Sequence, residues 1–191
     1  MEYTKEPAFI NRAKELLFLK EWVSERPEHI LFIYGPKSSG KTTLIKKFVE
    51  KEQSNNTFGI KFFNLRKILI AGYKDFIKAF FGIDDSVEKN DLKETREYNF
   101  KIFKLKVEVL KGMEKGLLDP FSVMERELEK LNEKGKCPIL IIDELQALED
   151  IYLNGQRLLI KELFNFFVAM TKESHLCHIL ISSSDGILFK F

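Results

Sequence analysis

The residues best suited to chemistry in this chain lie in one run, Gly35-Pro36-Lys37-Ser38-Ser39-Gly40-Lys41-Thr42, followed by Thr43. Two glycines, a lysine and a hydroxyl stand there at the spacing G-x-x-x-x-G-K-[ST], which cradles a phosphate. Gly35 and Gly40 can take φ > 0 and carry no Cβ, letting backbone N–H groups converge on an anion. A helix starting at about Lys41 adds its N-terminal amides and the positive end of its dipole. On this reading the whole run and Thr43 bind nucleotide phosphates. Lys41 reaches the β/γ-phosphates and assists the reaction, and the Thr42 hydroxyl binds Mg²⁺. With glycine at roughly 7% of residues, the four fixed positions arise by chance in on the order of 1% of chains this long. The strand-like run from His29 to Tyr34 ahead of the loop lowers that further. A nucleoside triphosphate is the implied ligand.

A second constellation closes the apolar run Ile139-Leu140-Ile141-Ile142 with Asp143-Glu144. Such a strand puts two carboxylates at its C-terminal end, where open α/β sheets keep their ligands. Asp143 then holds Mg²⁺ together with Thr42 and the phosphates. Glu144 is the candidate general base for the water that attacks the γ-phosphate. An acidic strand terminus is commonplace alone; the phosphate loop gives this one its weight. Gln146 either contacts the water or substrate or simply starts a helix. One of Ser182 and Ser183 contacts the γ-phosphate or the water; the sequence does not choose between them, Ser183 is carried as the candidate, and turn-forming serines are the plainer alternative. His29, His175 and His178 flank strands without a carboxylate or cysteine at ligand spacing, which argues against catalysis or metal binding by them. Cys137 and Cys177 read as structural thiols in a reducing compartment.

Positioning these groups requires strands alternating with helices. A helix is expected from Asn11 to Val23, with Leu16, Leu17, Leu19, Trp22 and Val23 at helical spacing and Asn11 as N-cap. Strand Ile30–Tyr34, helix Lys41–Glu52 and a strand from about Thr57 to Asn64 follow. Leu65 to Phe81 has helical spacing, and Asp119-Pro120 opens a helix through Phe121, Met124, Leu128 and Leu131 that Gly135 ends. The last third gives strand Pro138–Glu144, helix Gln156–Thr171 and strand His178–Ser184. Buried strands alternating with helices predict an α/β three-layer sandwich around a mostly parallel sheet. Asp84–Tyr98 reads as an exposed helix or loop. Phe100–Val107 interleaves apolar residues with lysines, a solvated face rather than a nucleic-acid stripe.

Composition bounds the remainder. A length of 191 residues fits one domain, with a helical and charged excursion at about 65–118. A net charge of +2 makes no case for nucleic acid. The polar start Met1 to Pro7 is unlike a secretory leader, and no apolar run approaches the ~20 residues of a membrane helix. A cytoplasmic location without membrane contact is expected. The 18 phenylalanines point to a Phe-rich core.

With these motifs in place, the chain resembles the archaeal ATPase family, a branch of the AAA+/STAND-like P-loop NTPases. Phe9-Ile10-Asn11-Arg12-Ala13-Lys14-Glu15-Leu16 is similar to that family's F-x-x-R-x-x-E-L segment. Ile141 to Gln146 is similar to its D-E-x-Q form of the Walker B motif. Gly155-Gln156-Arg157 with Leu163 to Phe167 resembles its next helix. The likeness spans nearly the whole chain, loosely over 65–118. It implies that Phe9 and Ile10 lie near the adenine and that Arg12 faces the nucleotide, a surface charge being the alternative for Arg12. It also implies an ASCE-type sheet of order 2-3-4-1, the strand after Walker B lying between the Walker B and loop strands. A fifth strand beside strand one, a helical lid and usually a winged-helix domain are implied as well, and none is found before Phe191. The matching expectations are a partner or oligomer on the open sheet edge, nucleic-acid contact only through the absent C-terminal region, and slow turnover for want of a lid arginine.

Mg-dependent ATP hydrolysis by Lys41, Thr42, Asp143 and Glu144 is therefore the leading expectation. The alternative is a nucleotide-dependent switch or scaffold that binds ATP with little turnover. A small-molecule kinase is weaker, because lid arginines are not found. The lack of an Asn-Lys-x-Asp element disfavours guanine.

Overall fold

The computed structural model describes residues 11–53, 56–81, 107–153 and 155–184. Its strands are β1 (Leu31–Tyr34), β2 (Phe58–Asn64), β3 (Cys137–Asp143), β4 (Tyr152–Leu153), β5 (Arg157–Leu158) and β6 (His178–Ser183). Four of them form one sheet in the order β1-β6-β3-β2, while β4 and β5 make a separate antiparallel hairpin. Every pairing in the four-stranded sheet is parallel. Counting these four strands along the chain gives the implied order 2-3-4-1, with β6 between the loop strand and the acidic strand. The register sets Tyr34 beside Ser183, Ser182 beside Asp143, and Asp143 beside Asn64. All four strands thus end level, and the groups that follow them share one edge.

Among the described residues, six α-helices flank the sheet: α1 (Ala13–Ser24), α2 (Lys41–Gln53), α3 (Tyr73–Phe81), α4 (Val107–Glu114), α5 (Pro120–Glu133) and α6 (Leu159–Val168). Leu19, Trp22, Leu44, Ile45 and Phe48 of α1 and α2 pack on Ile60, Phe62, Ile139, Ile141 and Leu180. On the opposite face, Phe76, Phe80, Met124, Leu128, Leu163 and Phe167 pack on Phe63, Leu140, Ile142, Ile179 and Ile181. Successive β3 residues therefore alternate between two cores, which is why this strand reads as an unbroken apolar run. Each such buried side chain contributes about 1.5–3 kcal/mol. Part of the phenylalanine content is accounted for by the second core, where Phe63 meets Phe76 and Phe80 edge-on at centroid distances of 5.9 and 6.0 Å. No helix among the described residues is long and apolar enough to cross a membrane.

Several boundaries differ from expectation, each for a local reason. The helix expected over Leu65–Phe81 is divided. Asn64 Oδ1 accepts from the Arg66 amide at 3.0 Å and starts a 3-10 turn over Leu65–Lys67, after which Ile68 is extended. The helix expected from Gln156 begins only at Leu159, because Gly155 at φ 74° turns the chain into the β4–β5 hairpin; its C-terminal end widens into a π-turn over Ala169–Glu173. Asn11 is not a cap: it has φ 63°, and Arg12 occupies the N-cap position of α1. Asp119 does cap α5, its Oδ2 accepting from the Ser122 amide at 2.9 Å, a bond worth about 1 kcal/mol. The expectations for Phe9, Ile10, Asp84–Tyr98 and all but the last residue of Phe100–Val107 lie outside the described residues.

One buried group gives the fold a pH dependence. His178, 1% exposed, sits edge-on to Trp22 with ring centroids 4.9 Å apart, and neither ring nitrogen has a hydrogen-bond partner among the described residues. Burial pushes its pKa down from 6.5 to about 4. The folded state favours the neutral ring. Its contribution is complete above pH 6.5 and is lost as pH falls through the window down to about 4, a change of up to about 3 kcal/mol. His178→Phe should flatten the fall of Tm across that window; parallel Tm–pH curves for variant and wild type would contradict the assignment.

Candidate phosphate-loop site

The loop between β1 and α2 curls over its own lysine. Lys41 Nζ donates to the carbonyl oxygens of Gly35 at 2.7 Å and Pro36 at 2.9 Å, so the ammonium is held over the loop while the residue is 7% exposed. Pro36, Lys37 and Ser38 form the exposed rim, Ser39 and Gly40 are half-buried, and Thr43 lies exposed on the first turn of α2. Gly40 has a positive φ, 83°. Gly35 does not. The second left-handed residue is Ser38 at 63°, and Gly35 is instead constrained by space, since a Cβ there would lie 3.1 Å from Ser39 Oγ. The first α2 hydrogen bond runs from the Leu44 amide to the Gly40 carbonyl, so the amides of Lys41, Thr42 and Thr43 precede the intrahelical ladder. No acidic side chain stands in that first turn to compete for them.

Asp143 closes the site from β3. It is fully buried; its Oδ2 accepts from Thr42 Oγ1 at 2.7 Å and its Oδ1 from the Ser182 hydroxyl. Two motifs far apart in sequence thus meet through one hydrogen bond, because Asp143 points to the sheet face that α2 covers.

Glu144 leaves the strand in the left-handed region, φ 65° and ψ 51°, uncommon for a residue with a Cβ. That turn directs its carboxylate along the ends of the strands. Oε1 pairs with Arg66 Nη2 at 2.5 Å; Oε2 accepts from Ser184 Oγ at 2.8 Å and from Gln146 Nε2. A polar group on a residue that is 2% exposed needs such hydrogen-bond partners. Gln146 also donates to Ser184 Oγ and accepts from Ser183 Oγ, both at 2.9 Å. Ser182 therefore anchors Asp143, whereas Ser183 joins the Glu144 side.

Arg12 approaches the loop from outside, donating from Nη2 to the Ser39 carbonyl at 2.9 Å and from Nη1 to Glu15 Oε1 at 3.0 Å. It braces the loop backbone. Sequence reasoning missed Arg66. Arg66 was placed inside a helix, although its position just past β2, level with Asp143, was a usable signal. A separate cavity of about 600 Å³ is lined by Tyr73, Lys74, Lys78, Phe121 and Arg157 among others, and by none of the loop residues or Asp143–Glu144.

The strand order, the loop between β1 and α2, and the acidic end of β3 define a P-loop ATPase fold. The chain belongs to the family described as an ATPase domain predominantly from Archaea, which it matches over residues 9–190. It is 40% identical over 180 residues to the uncharacterized ATP-binding protein MJ1076 of Methanocaldococcus jannaschii, covering 94% of this chain and 52% of that protein. To MJ0625 of the same organism, also an uncharacterized ATP-binding protein, it is 41% identical over 183 residues, covering 95% and 53%. The chain spans about half the length of these curated relatives. Among solved structures it is similar to the Walker-type ATPase PABY2304 of Pyrococcus abyssi, with a TM-score of 0.61 at 20% identity over 92% of this chain and 45% of that one. The ORC2 protein of Aeropyrum pernix, in ADPNP–ADP complexes, gives 0.61 at 14% over 100% and 45%. These two likenesses establish the fold alone.

Proposed function

We propose that this chain binds ATP with Mg²⁺ between the phosphate loop and Asp143 and hydrolyses it to ADP and phosphate. The observation that carries the reading is the 2.7 Å contact between Thr42 Oγ1 and Asp143 Oδ2, with Glu144 adjacent. Two hard oxygens suit Mg²⁺, which takes one or two protein ligands and fills its shell with phosphate oxygens and water. No cluster of three or more His, Cys, Asp or Glu suited to a metal occurs among the described residues, so a cage built wholly from such ligands has no support. When bound, Mg²⁺ supplies neutralising charge at the β- and γ-phosphate oxygens. The family description and the relatives' names as ATP-binding proteins support the choice of nucleotide.

The chain's own residues divide the work. Amides of the loop and first α2 turn receive the phosphates. The Lys41 ammonium exchanges the Gly35 and Pro36 carbonyls for phosphate oxygens. Asp143 is held in one orientation by Ser182. Glu144 accepts the proton of the attacking water as that water's oxygen bonds to the γ-phosphorus and the bond to the ADP oxygen breaks. For this, the carboxylate exchanges one donor for water, and the Arg66 side chain, 49% exposed, is the partner that solvent replaces at least cost.

Thr42→Ala tests the metal assignment. In the wild type, Mg²⁺ should tighten ATP binding by about tenfold or more; the variant should lose that dependence and retain its fold. An unchanged Mg²⁺ dependence would contradict the site. Along the outer edge of β1, Phe32 and Tyr34 are exposed at 44% and 54%, and no strand covers it among the described residues. The exposed rings support a partner there. The reaction is taken to run in the cytoplasm, where ATP is supplied.

A further inference from the structure

Gln146 has no role in the reaction as derived above, yet both ends of its amide are committed. Nε2 donates to Glu144 Oε2 and, at 2.9 Å, to Ser184 Oγ; Oε1 accepts from Ser183 Oγ at 2.9 Å. Reversing the amide would set its oxygen against the Glu144 carboxylate, so charge fixes its orientation. Ser183 lies beside Tyr34 in the β1–β6 register, immediately before Gly35. It is fully buried. A serine carries a single hydroxyl proton. Ser183 cannot donate it both to Gln146 and to a γ-phosphate oxygen.

We propose that Gln146 is a positioning residue that couples the γ-phosphate, sensed by Ser183, to the carboxylate of Glu144. The inference rests on the hydrolytic reading and deepens it. With Ser183 bonded to Gln146, the amide holds Oε2 of the base. When a γ-phosphate takes the Ser183 proton, the amide loses its partner at one end and its hold on Glu144 changes at the other. ADP has no γ-phosphate and leaves the bridge as it stands. Gln146 reaches both partners because Glu144 is left-handed and the next residues form a tight 3-10 turn over Leu145–Leu148.

The test uses Gln146→Met, which keeps length and removes the amide, with Ser183→Ala and the double variant, each checked by thermal melting. Gln146→Met should lower kcat about tenfold with the MgATP Kd unchanged, and Ser183→Ala added to it should have well under its effect alone, since both break one bridge. Independently of turnover, the ¹⁵N side-chain amide of Gln146, assigned by its loss in Gln146→Met, should shift with Mg²⁺ and a non-hydrolysable ATP analogue. It should not shift with ADP, nor with the analogue in Ser183→Ala. A wild-type kcat in Gln146→Met, additive effects in the double variant, or identical amide spectra with analogue and ADP would overturn the coupling. A nucleotide-specific amide shift without phosphate release would sink the hydrolytic reading and leave the coupling standing.

Discussion

Replacing Glu144 with glutamine should slow phosphate release by about 100- to 10,000-fold, the usual worth of a positioned general base, while MgATP affinity stays within a few-fold of wild type. Glutamine preserves the size of the side chain and an oxygen that can accept from Ser184, but it cannot take a proton from water. It also gives up the 2.5 Å ion pair with Arg66. That loss costs little in stability, because the arginine is half-exposed and reverts to solvent. A thermal melt separates the two effects, since only the chemical step should collapse. Equal release by variant and wild type, with ATP still bound, would instead favour a switch that uses the nucleotide without turning it over.

The second large effect falls on binding. Lys41→Ala should weaken MgATP affinity by about 100-fold or more, because hydrogen bonds to charged groups are worth about 1.5–3 kcal/mol each and the proposed binding mode gives Lys41 more than one phosphate oxygen. The loop should survive: the variant frees the Gly35 and Pro36 carbonyls from Nζ, while the Arg12 contact to Ser39 remains as a brace. Isothermal titration checks the affinity and a melt checks the fold. Unchanged affinity would remove the loop from the binding site.

Much of this arrangement was legible in the sequence, because the strands announce themselves twice. β3 and β6 are buried on both faces, so their apolar runs are continuous, and each ends at the residues that matter. Gly40 could be read because only glycine takes its φ cheaply. At Gly35 it is the missing Cβ that counts, since one there would lie 3.1 Å from Ser39 Oγ. The β4–β5 hairpin was missed because a two-residue ladder leaves no periodicity. The Arg66–Glu144 pair and the Gln146 bridge depend on the level ending of β2, β3 and β6 and on the left-handed turn at Glu144. Neither depends on local spacing alone. Arg12 shows the converse case: the family segment pointed to the right neighbourhood, and the structure gives its partner as a loop carbonyl.

The account is tested most directly by following ATP with ³¹P NMR in the presence of Mg²⁺ and a stoichiometric amount of the wild-type chain. The β and γ resonances should shift or broaden on addition of protein, then decline as ADP and inorganic phosphate signals grow. Resonances that keep their positions and widths, with no new phosphate signal over the same period, would contradict it.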